Sequence, residues 1–449
     1  MQGLAKGQRG PNRMQAPAIE AKARGASFLK PLFRDRRIAA GLFLGVGSGM
    51  AFPLIYATQS VWLTRAGVPI ETIGWLFGLT FPYKLKFLWA PFLDRYDPPL
   101  IGAWLGRRRG WILLAQLGVA AGLVGIAFGD PANWLGWTIA FSLALGVAGA
   151  TQDITVDGWR IAVVSKAELP LMSSWAEIGW RMGTLVAGAG ALIVAGEHGW
   201  KVAYVVMAAI MFPSMIAAWF APEPKSDRDP IREPLNFGAT IWAPIKDLLD
   251  RLGPLGIPIL IMIAGFRMSG YVSTAMANPL FVTLHYSDVD IATVVKVYGF
   301  WLALGATILG GWMIPRFGLM PTLLFGTVFG SAAHLALAYL ALYGDHNDGA
   351  YWTFVMAVGI EAFAYAFASI VLITYMSTLT SDGYAASQFA LMTSLVALPG
   401  NLLAMTSGVA VKAVGFAWFF VGTSVIGIPV ALLCGWIWWW QSRQVQSVT

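Results

Sequence analysis

The chain has 449 residues, of which 57% are hydrophobic and 12% charged, where an ordinary soluble domain carries roughly a quarter. That balance excludes a soluble enzyme and reads as an all-α integral membrane protein. The formal charge of +7 falls mostly in short segments between apolar runs, the pattern of membrane loops and not of a nucleic-acid surface.

A polar, basic leader from Met1 to Arg37 comes first. It lacks the short apolar core of a cleavable signal and reads as a cytoplasmic tail whose Arg34-Asp35-Arg36-Arg37 end meets anionic lipid. Apolar runs of about 20 residues, enough to cross ~30 Å of hydrocarbon, then fall near 38–58, 72–93, 111–128, 133–155, 171–196 and 201–220. A second set falls near 257–284, 290–314, 320–342, 351–378, 385–410 and 416–440. The reading is twelve transmembrane helices in two pseudo-symmetric six-helix halves, 38–220 and 257–440, with a linker at 221–256 and a short tail at 441–449. The linker carries Lys225, Arg228, Arg232, Lys246 and Arg251, with an amphipathic helix expected around Ile241–Leu252. With the amino terminus inside, roughly 22 Lys and Arg fall on the cytoplasmic side. Only Arg65, Lys201 and Lys412 fall outside, which places both termini in the cytoplasm. Cys434, the single cysteine, sits in the last apolar run and reads as a buried thiol.

Ionisable groups inside such helices cost roughly 2.5–3.5 kcal/mol each even on the mildest scale, so they mark candidate sites. The second helix places Lys84 and Lys86 near mid-depth on different sides. The fourth ends in Thr151-Gln152-Asp153-Ile154-Thr155-Val156-Asp157-Gly158-Trp159-Arg160, in which Asp153, Asp157 and Arg160 share one face. Glu177 and Arg181 lie four apart on the fifth helix. In the second half, Arg267 and Glu361 fall at mid-depth and are expected to pair, while Lys296 is nearer the outside. Tyr365 follows Glu361 in an aromatic run, and Gln388 and Asn401 are hydrogen-bonding candidates on the eleventh helix. The total leans positive and suits an anionic small molecule. Lys84, Gln152, Arg181, Arg267, Tyr365 and Gln388 are the substrate-binding candidates, and Asp153, Glu177 and Glu361 the proton-coupling ones. Asp94, Arg95, Arg107, Arg108, Arg109, Asp157 and Arg160 form the candidate cytoplasmic gate. The loop after the eighth helix, Pro315-Arg316-Phe317-Gly318, echoes the Asp94-Arg95 to Gly106-Arg107 loop after the second.

The four histidines, His198, His285, His334 and His346, show no ligand spacing, and no nucleophile constellation is readable. No metal, cofactor or catalytic residue is therefore expected.

Several stretches resemble the AmpG-type muropeptide permeases of the major facilitator superfamily, from about Ile38 to Trp436. They are Phe87-Leu88-Trp89-Ala90-Pro91 leading to Asp94-Arg95, Gly106-Arg107-Arg108-Arg109-Gly110-Trp111, the Thr151–Arg160 run and Gly179-Trp180-Arg181-Met182-Gly183. Ala221-Pro222-Glu223-Pro224 and Ser387-Gln388-Phe389-Ala390-Leu391 complete the set. The resemblance implies proton-driven import of N-acetylglucosaminyl-anhydro-muramyl peptides across a bacterial inner membrane by a monomer among lipids. The same branch includes acetyl-CoA carriers and importers of iron–siderophore complexes. One departure stands out: where the resemblance implies a base followed by an acid on the seventh helix, this chain reads Arg267-Met268-Ser269-Gly270. The acid is absent: if it couples protons elsewhere in the family, that role falls here to Asp153, Glu177 or Glu361, or else the substrate differs.

Overall fold

A computed structural model describes residues 28–55, 57–69, 72, 76–224 and 237–446. Most of the expected tail, the linker bases Lys225, Arg228 and Arg232, and the last three residues lie outside them.

The described residues are helical, with eleven helices long and apolar enough to cross a membrane. The second of the twelve expected spans is the exception. Its described part is built from short pieces, Leu76–Thr80, Phe81–Leu85, Lys86–Leu88 and Ala90–Arg95. Pro82 and Pro91 each sit in the first turn of a piece, where a missing N–H costs least and where a preceding helix has to stop.

The other spans follow the expected order. The first runs through Arg36–Ile55 and Ala57–Arg65, the third is Arg107–Ala127 and the fourth Leu135–Ala162. The fifth begins as Leu169–Leu185, passes a π turn at Val186–Gly190 and ends as Ala191–His198. Trp200–Ile210 and Phe212–Phe220 make the sixth. The linker helix Phe237–Leu252 begins one turn earlier than expected and leads into the seventh span, Gly256–Phe266 and Met268–Thr283. The eighth comprises a π segment, Ala292–Tyr298, and Gly299–Phe317. The ninth is Leu319–Ala332 with His334–Tyr343, the tenth Tyr351–Leu379 and the eleventh Ala385–Ala404. The last helix, Ser407–Gln446, is broken at Gly415.

One backbone device recurs at the start of every third span. Gly106, Gly199, Gly318 and Gly415 have φ of 81°, 83°, 87° and 77° and ψ of 175°, 164°, 158° and 165°. That region is essentially closed to side-chain-bearing residues, and each glycine turns the chain from a loop into the next helix. The repeat divides each six-helix half into two three-helix units, and it turns the echo between Gly106 and Gly318 into a fourfold pattern.

Packing within the first half rests on small residues. Gly45 and Gly49 on the first span face Gly179 and Gly183 on the fifth. A Cβ at any of the four would run into backbone carbonyls of Ala176, Trp180, Leu42 or Val46. Two facing small-xxx-small pairs let the helices touch backbone to backbone, since lipid offers no hydrophobic force to join them. Beside this seam lies an apolar core of Met50, Leu54, Val119, Leu123 and Leu145. The second half has its own core around Ile263, Phe367, Ile370 and Val371, and buried Cys434 lies within it as a free thiol.

The two halves meet on the linker side. Asp94, at the end of the second span, accepts hydrogen bonds from the backbone N–H of Ser387, at 2.7 Å, and from its hydroxyl. The Asp94 carboxylate thereby caps the first turn of the eleventh span, in the opposite half. Arg160 donates to Ser173 in its own half at 2.9 Å and to Ser377 across the interface at 3.1 Å. Its guanidinium also lies 4.6 Å from the Phe389 ring centroid. Gly158 faces Ala386, and Gly311 of the eighth span faces Ser174 of the fifth.

Candidate functional site

In the first half the charges form a chain along the fourth span. Arg160 holds Asp157 at 2.9 Å, and Lys86 reaches Asp153 at 3.8 Å and Asp157 at 4.0 Å. Asp153 also accepts a hydrogen bond from Ser48 of the first span. The one-face spacing of Asp153, Asp157 and Arg160 is thus realised, and Lys86 is the cation that stands between the two acids. Its ammonium is buried, so this cluster satisfies itself by pairing, as isolated charges in hydrocarbon cannot. Tyr83 packs its hydroxyl against Gly149, and Lys84, half-buried, lies 5.5 Å from the Phe81 ring centroid. Glu177 and Arg181 pair with each other at 2.9 Å, one turn apart on the fifth span.

Gln152 sits within the helix packing of the first half. It is fully buried, and its amide lies beside Gly47 and Ser214, inside the first half. One residue along a helix is a rotation of roughly 100°, so Asp153 and Gln152 point to different sides of the fourth span. Gln388 is likewise taken up elsewhere. Its carbonyl accepts from Arg251 at 3.0 Å and from the Ser381 N–H at 2.8 Å, and its amide donates to Asp247 at 2.8 Å and to the Pro244 carbonyl at 3.0 Å. This glutamine fastens the linker helix to the start of the eleventh span.

The candidate gate residues are brought together, with one partner that the loop motifs alone do not reveal. Arg108 pairs with Asp94 at 2.7 Å. Glu223, from the Ala221–Pro224 motif, accepts the backbone N–H groups of Arg108 at 2.8 Å and Arg109 at 3.1 Å, and its carboxylate lies 3.5 Å from the Arg109 side chain. An acid at a helix N-terminus satisfies donors that have no partner inside the helix. The neighbouring Pro222 carbonyl accepts from Trp159 at 2.9 Å, so the motif ties the third span to the fourth. Arg107 is buried in the same corner, and Arg95 is half-buried nearby.

The second half departs from expectation at Glu361. Its carboxylate pairs with His334 on the ninth span, both oxygens 3.1 Å from Nδ1, and not with Arg267. The ninth and tenth spans are antiparallel neighbours, and His334 arrives at the depth of Glu361. Arg267 instead stacks on Tyr365, 4.1 Å from the ring centroid, with Tyr271 at 5.4 Å and the Ser369 hydroxyl at 3.4 Å. A planar, weakly hydrated guanidinium is suited to such faces. Arg267, Ser269, His334, Glu361 and Tyr365 line one recess of about 30 Å³, room for a water or two. Lys296 is exposed in the π segment that opens the eighth span, and Asn401 donates to the Ala397 carbonyl of its own helix at 2.8 Å. His334 is the functional candidate that sequence reasoning passed over, because a lone histidine has no spacing signal. Depth matching against Glu361 would have exposed it.

Comparison with known proteins agrees with this architecture. An anhydromuropeptide permease of Escherichia coli K12 is 28% identical over 408 residues, covering 90% of this chain and 80% of that protein. A Rickettsia felis protein bearing the name AmpG 4 is also 28% identical, over 410 residues, covering 90% and 96%. The human organic anion transporter MFSD10 superposes with a TM-score of 0.64 at 17% identity, covering 89% of this chain and 99% of that one, and supports the fold. The family model of the Major Facilitator Superfamily matches residues 40–405. With its glycine-opened three-helix units and two halves meeting around buried charge, the chain is a multi-pass membrane transporter of the Major Facilitator Superfamily.

Proposed function

We propose that this transporter imports anionic anhydromuropeptides across a bacterial inner membrane, together with protons, by alternating access, and that it works as a monomer with both termini in the cytoplasm. The observation that carries the substrate class is the anhydromuropeptide permease relative, which aligns over 90% of the chain. The excess of cations among the buried charged groups supports an anion. The Lys and Arg distribution supports the orientation, which makes the linker side cytoplasmic.

In this reading Arg267 and Tyr365 in the second half, and Lys84 and Arg181 in the first, meet the carboxylates and sugar rings of the substrate. Asp153, held by Lys86 and Ser48, carries the coupling proton. Its position suits that role, because Asp153 and Asp157 share one lysine and a change in protonation at either acid is felt by the other. Arg181 is neutralised by Glu177 and stands ready to exchange that partner for a substrate carboxylate, which would free Glu177 to take up a proton. Asp94, Arg95, Arg107, Arg108, Arg109, Asp157 and Arg160 belong to the gate on the linker side.

The test is uptake of a labelled anhydromuropeptide into proteoliposomes under an imposed pH gradient. Accumulation above the equilibrium level that collapses with a protonophore is expected. Uptake that only equilibrates, or none, overturns the reading.

A further inference from the structure

We propose that His334 and Glu361 form a proton-binding site in the second half, whose occupancy is linked electrostatically to the charge at Arg267. Its role in transport rests on the function proposed above, although the site itself is defined without reference to any substrate.

The geometry points to the proton's place. His334 is 2% exposed and opens the second segment of the ninth span, directly after the break at Ala333. Its Nδ1 faces both oxygens of Glu361 at 3.1 Å, so with Glu361 ionised Nδ1 carries hydrogen and donates. Nε2 is then left as the basic atom of the ring. It is buried and has no hydrogen-bond partner among the described residues, on a side chain that lines the recess. A carboxylate behind one imidazole nitrogen orients the ring and fixes its tautomer, which leaves the other nitrogen to receive a proton. A proton arriving through the recess bonds to Nε2 and leaves an imidazolium against Glu361. Ser273, also fully buried, adds a hydroxyl 3.5 Å from the same carboxylate.

The groups facing the pair are Glu361 and Tyr365 from the tenth span and Arg267 from the seventh, with Tyr271 behind the guanidinium. The twelfth span packs on the ninth, but among the described residues it contributes no titratable group to the lining. With neutral His334 the recess holds one cation and one anion. One bound proton makes it net positive, a state that an arriving carboxylate at Arg267 offsets and that Arg267 alone opposes. A nearby Nη2 of Arg267 is itself buried and without a hydrogen-bond partner among the described residues, and so is available to such an anion. Proton and anion therefore favour one another's binding here, the linkage that a symporter requires.

The test uses the full chain in lipid nanodiscs with His198, His285 and His346 replaced by Gln. None of the three lines the recess, and His334 is left as the single histidine of the four. Nitrogen-15 imidazole spectra then report the ratio of charged to neutral ring at one fixed pH. Glu361→Gln is expected to lower that ratio about tenfold or more, Glu361→Asp to preserve most of it, and Arg267→Gln to raise it. Folding of each variant is checked by its unchanged melting profile in the same discs. A ratio indifferent to Glu361→Gln overturns the proton site, and one indifferent to Arg267→Gln overturns the linkage. No substrate enters this measurement. Failure of anhydromuropeptide uptake would thus sink the proposed function and leave the site standing, and the reverse holds equally.

Discussion

At the scale of single residues, the buried charges divide by what they touch. Asp157 and Arg160 are locked to each other and, through Arg160, to Ser173 and Ser377, so they serve the interface between the halves. Asp153 has looser company, a lysine at 3.8 Å and one serine. Asp153→Asn removes the charge and keeps the shape, and it should reduce accumulation in a pH gradient to the equilibrium level while leaving counterflow exchange within about twofold, because exchange requires no net proton movement. Intact accumulation in that variant would assign the proton elsewhere. Arg267→Ala should weaken substrate affinity about tenfold or more, the worth of one charge-assisted hydrogen bond. A titration showing unchanged affinity would reduce Arg267 to a packing role against Tyr365. Much of this was legible in the sequence: spacing placed Asp153, Asp157 and Arg160 on one face, and depth counting found Arg267 and Glu361. Partner choice was not legible, since it depends on which neighbouring helix arrives at the same depth. For that reason Glu361 meets His334 and not Arg267, and Gln388 meets the linker helix and not a cavity.

At the scale of elements, apolar run length revealed the spans, while their interruptions depended on backbone chemistry that hydropathy does not register. The second span shows this best, broken into short pieces around Pro82 and Pro91 although its composition reads as one continuous run. The glycine starts of the third, sixth, ninth and twelfth spans are a second case. Gly199→Ala puts a side chain into the strained region with open space around it and should cost on the order of 1–3 kcal/mol. Gly106→Ala should cost more, because its Cβ would also meet the Glu223 carboxyl carbon at 2.7 Å and disturb the cap of the third span. Melting of both variants in one detergent compares them, and equal losses would remove the cap from the account. A third device lies at the membrane edge, where Arg37 binds Asp35 at 2.6 Å and Glu168 at 2.8 Å, joining the first span to the fifth. The hydrogen bond from Arg37 holds the Asp35 carboxyl below its ordinary range. Burial pushes Glu168 up, but hydrogen bonds from Arg37 and Ser165 outweigh it and leave its pKa lowered too. Depressed carboxylates contribute stability above their unfolded-state pKa and lose it as pH falls through the folded one. Amide exchange at the start of the first span should therefore quicken as pH drops below about 4, once corrected for the intrinsic exchange rate. Arg37→Gln should show the quicker exchange already at neutral pH.

At the scale of the whole molecule, the cross-half hydrogen bonds described above lie on the linker side, so this conformation is sealed there. The seal is a polar latch in which one carboxylate serves both halves: Asp94 binds Arg108 of its own half and caps the eleventh span of the other. A carrier must break the latch in each cycle, so it cannot be too strong, and a carboxylate that caps a helix through reversible hydrogen bonds meets that requirement. Asp94→Asn keeps a capping oxygen but loses the charge that holds Arg108 and favours a helix N-terminus, interactions typically worth 0.3–1 kcal/mol for the terminus alone, or ~2 kcal/mol where partly buried. For two conformations within a few kcal/mol of one another, a loss of about 1.4 kcal/mol changes their ratio tenfold. Lys166 and Asp382 are exposed on the linker side, one in each half. Spin labels at cysteines introduced at these two positions would report the separation, with native Cys434 too buried to react. The expected outcome is a single short distance in the parent and a second, longer distance that grows several-fold in Asp94→Asn. Ser387→Ala, which deletes only the hydroxyl and keeps the backbone N–H that Asp94 caps, should give a smaller shift in the same direction. If neither substitution lengthens the distance, the latch is a passive contact and the closed side is held by the apolar meeting of the fourth and eleventh spans, in which Ile154 packs with Ala386 and Ala390.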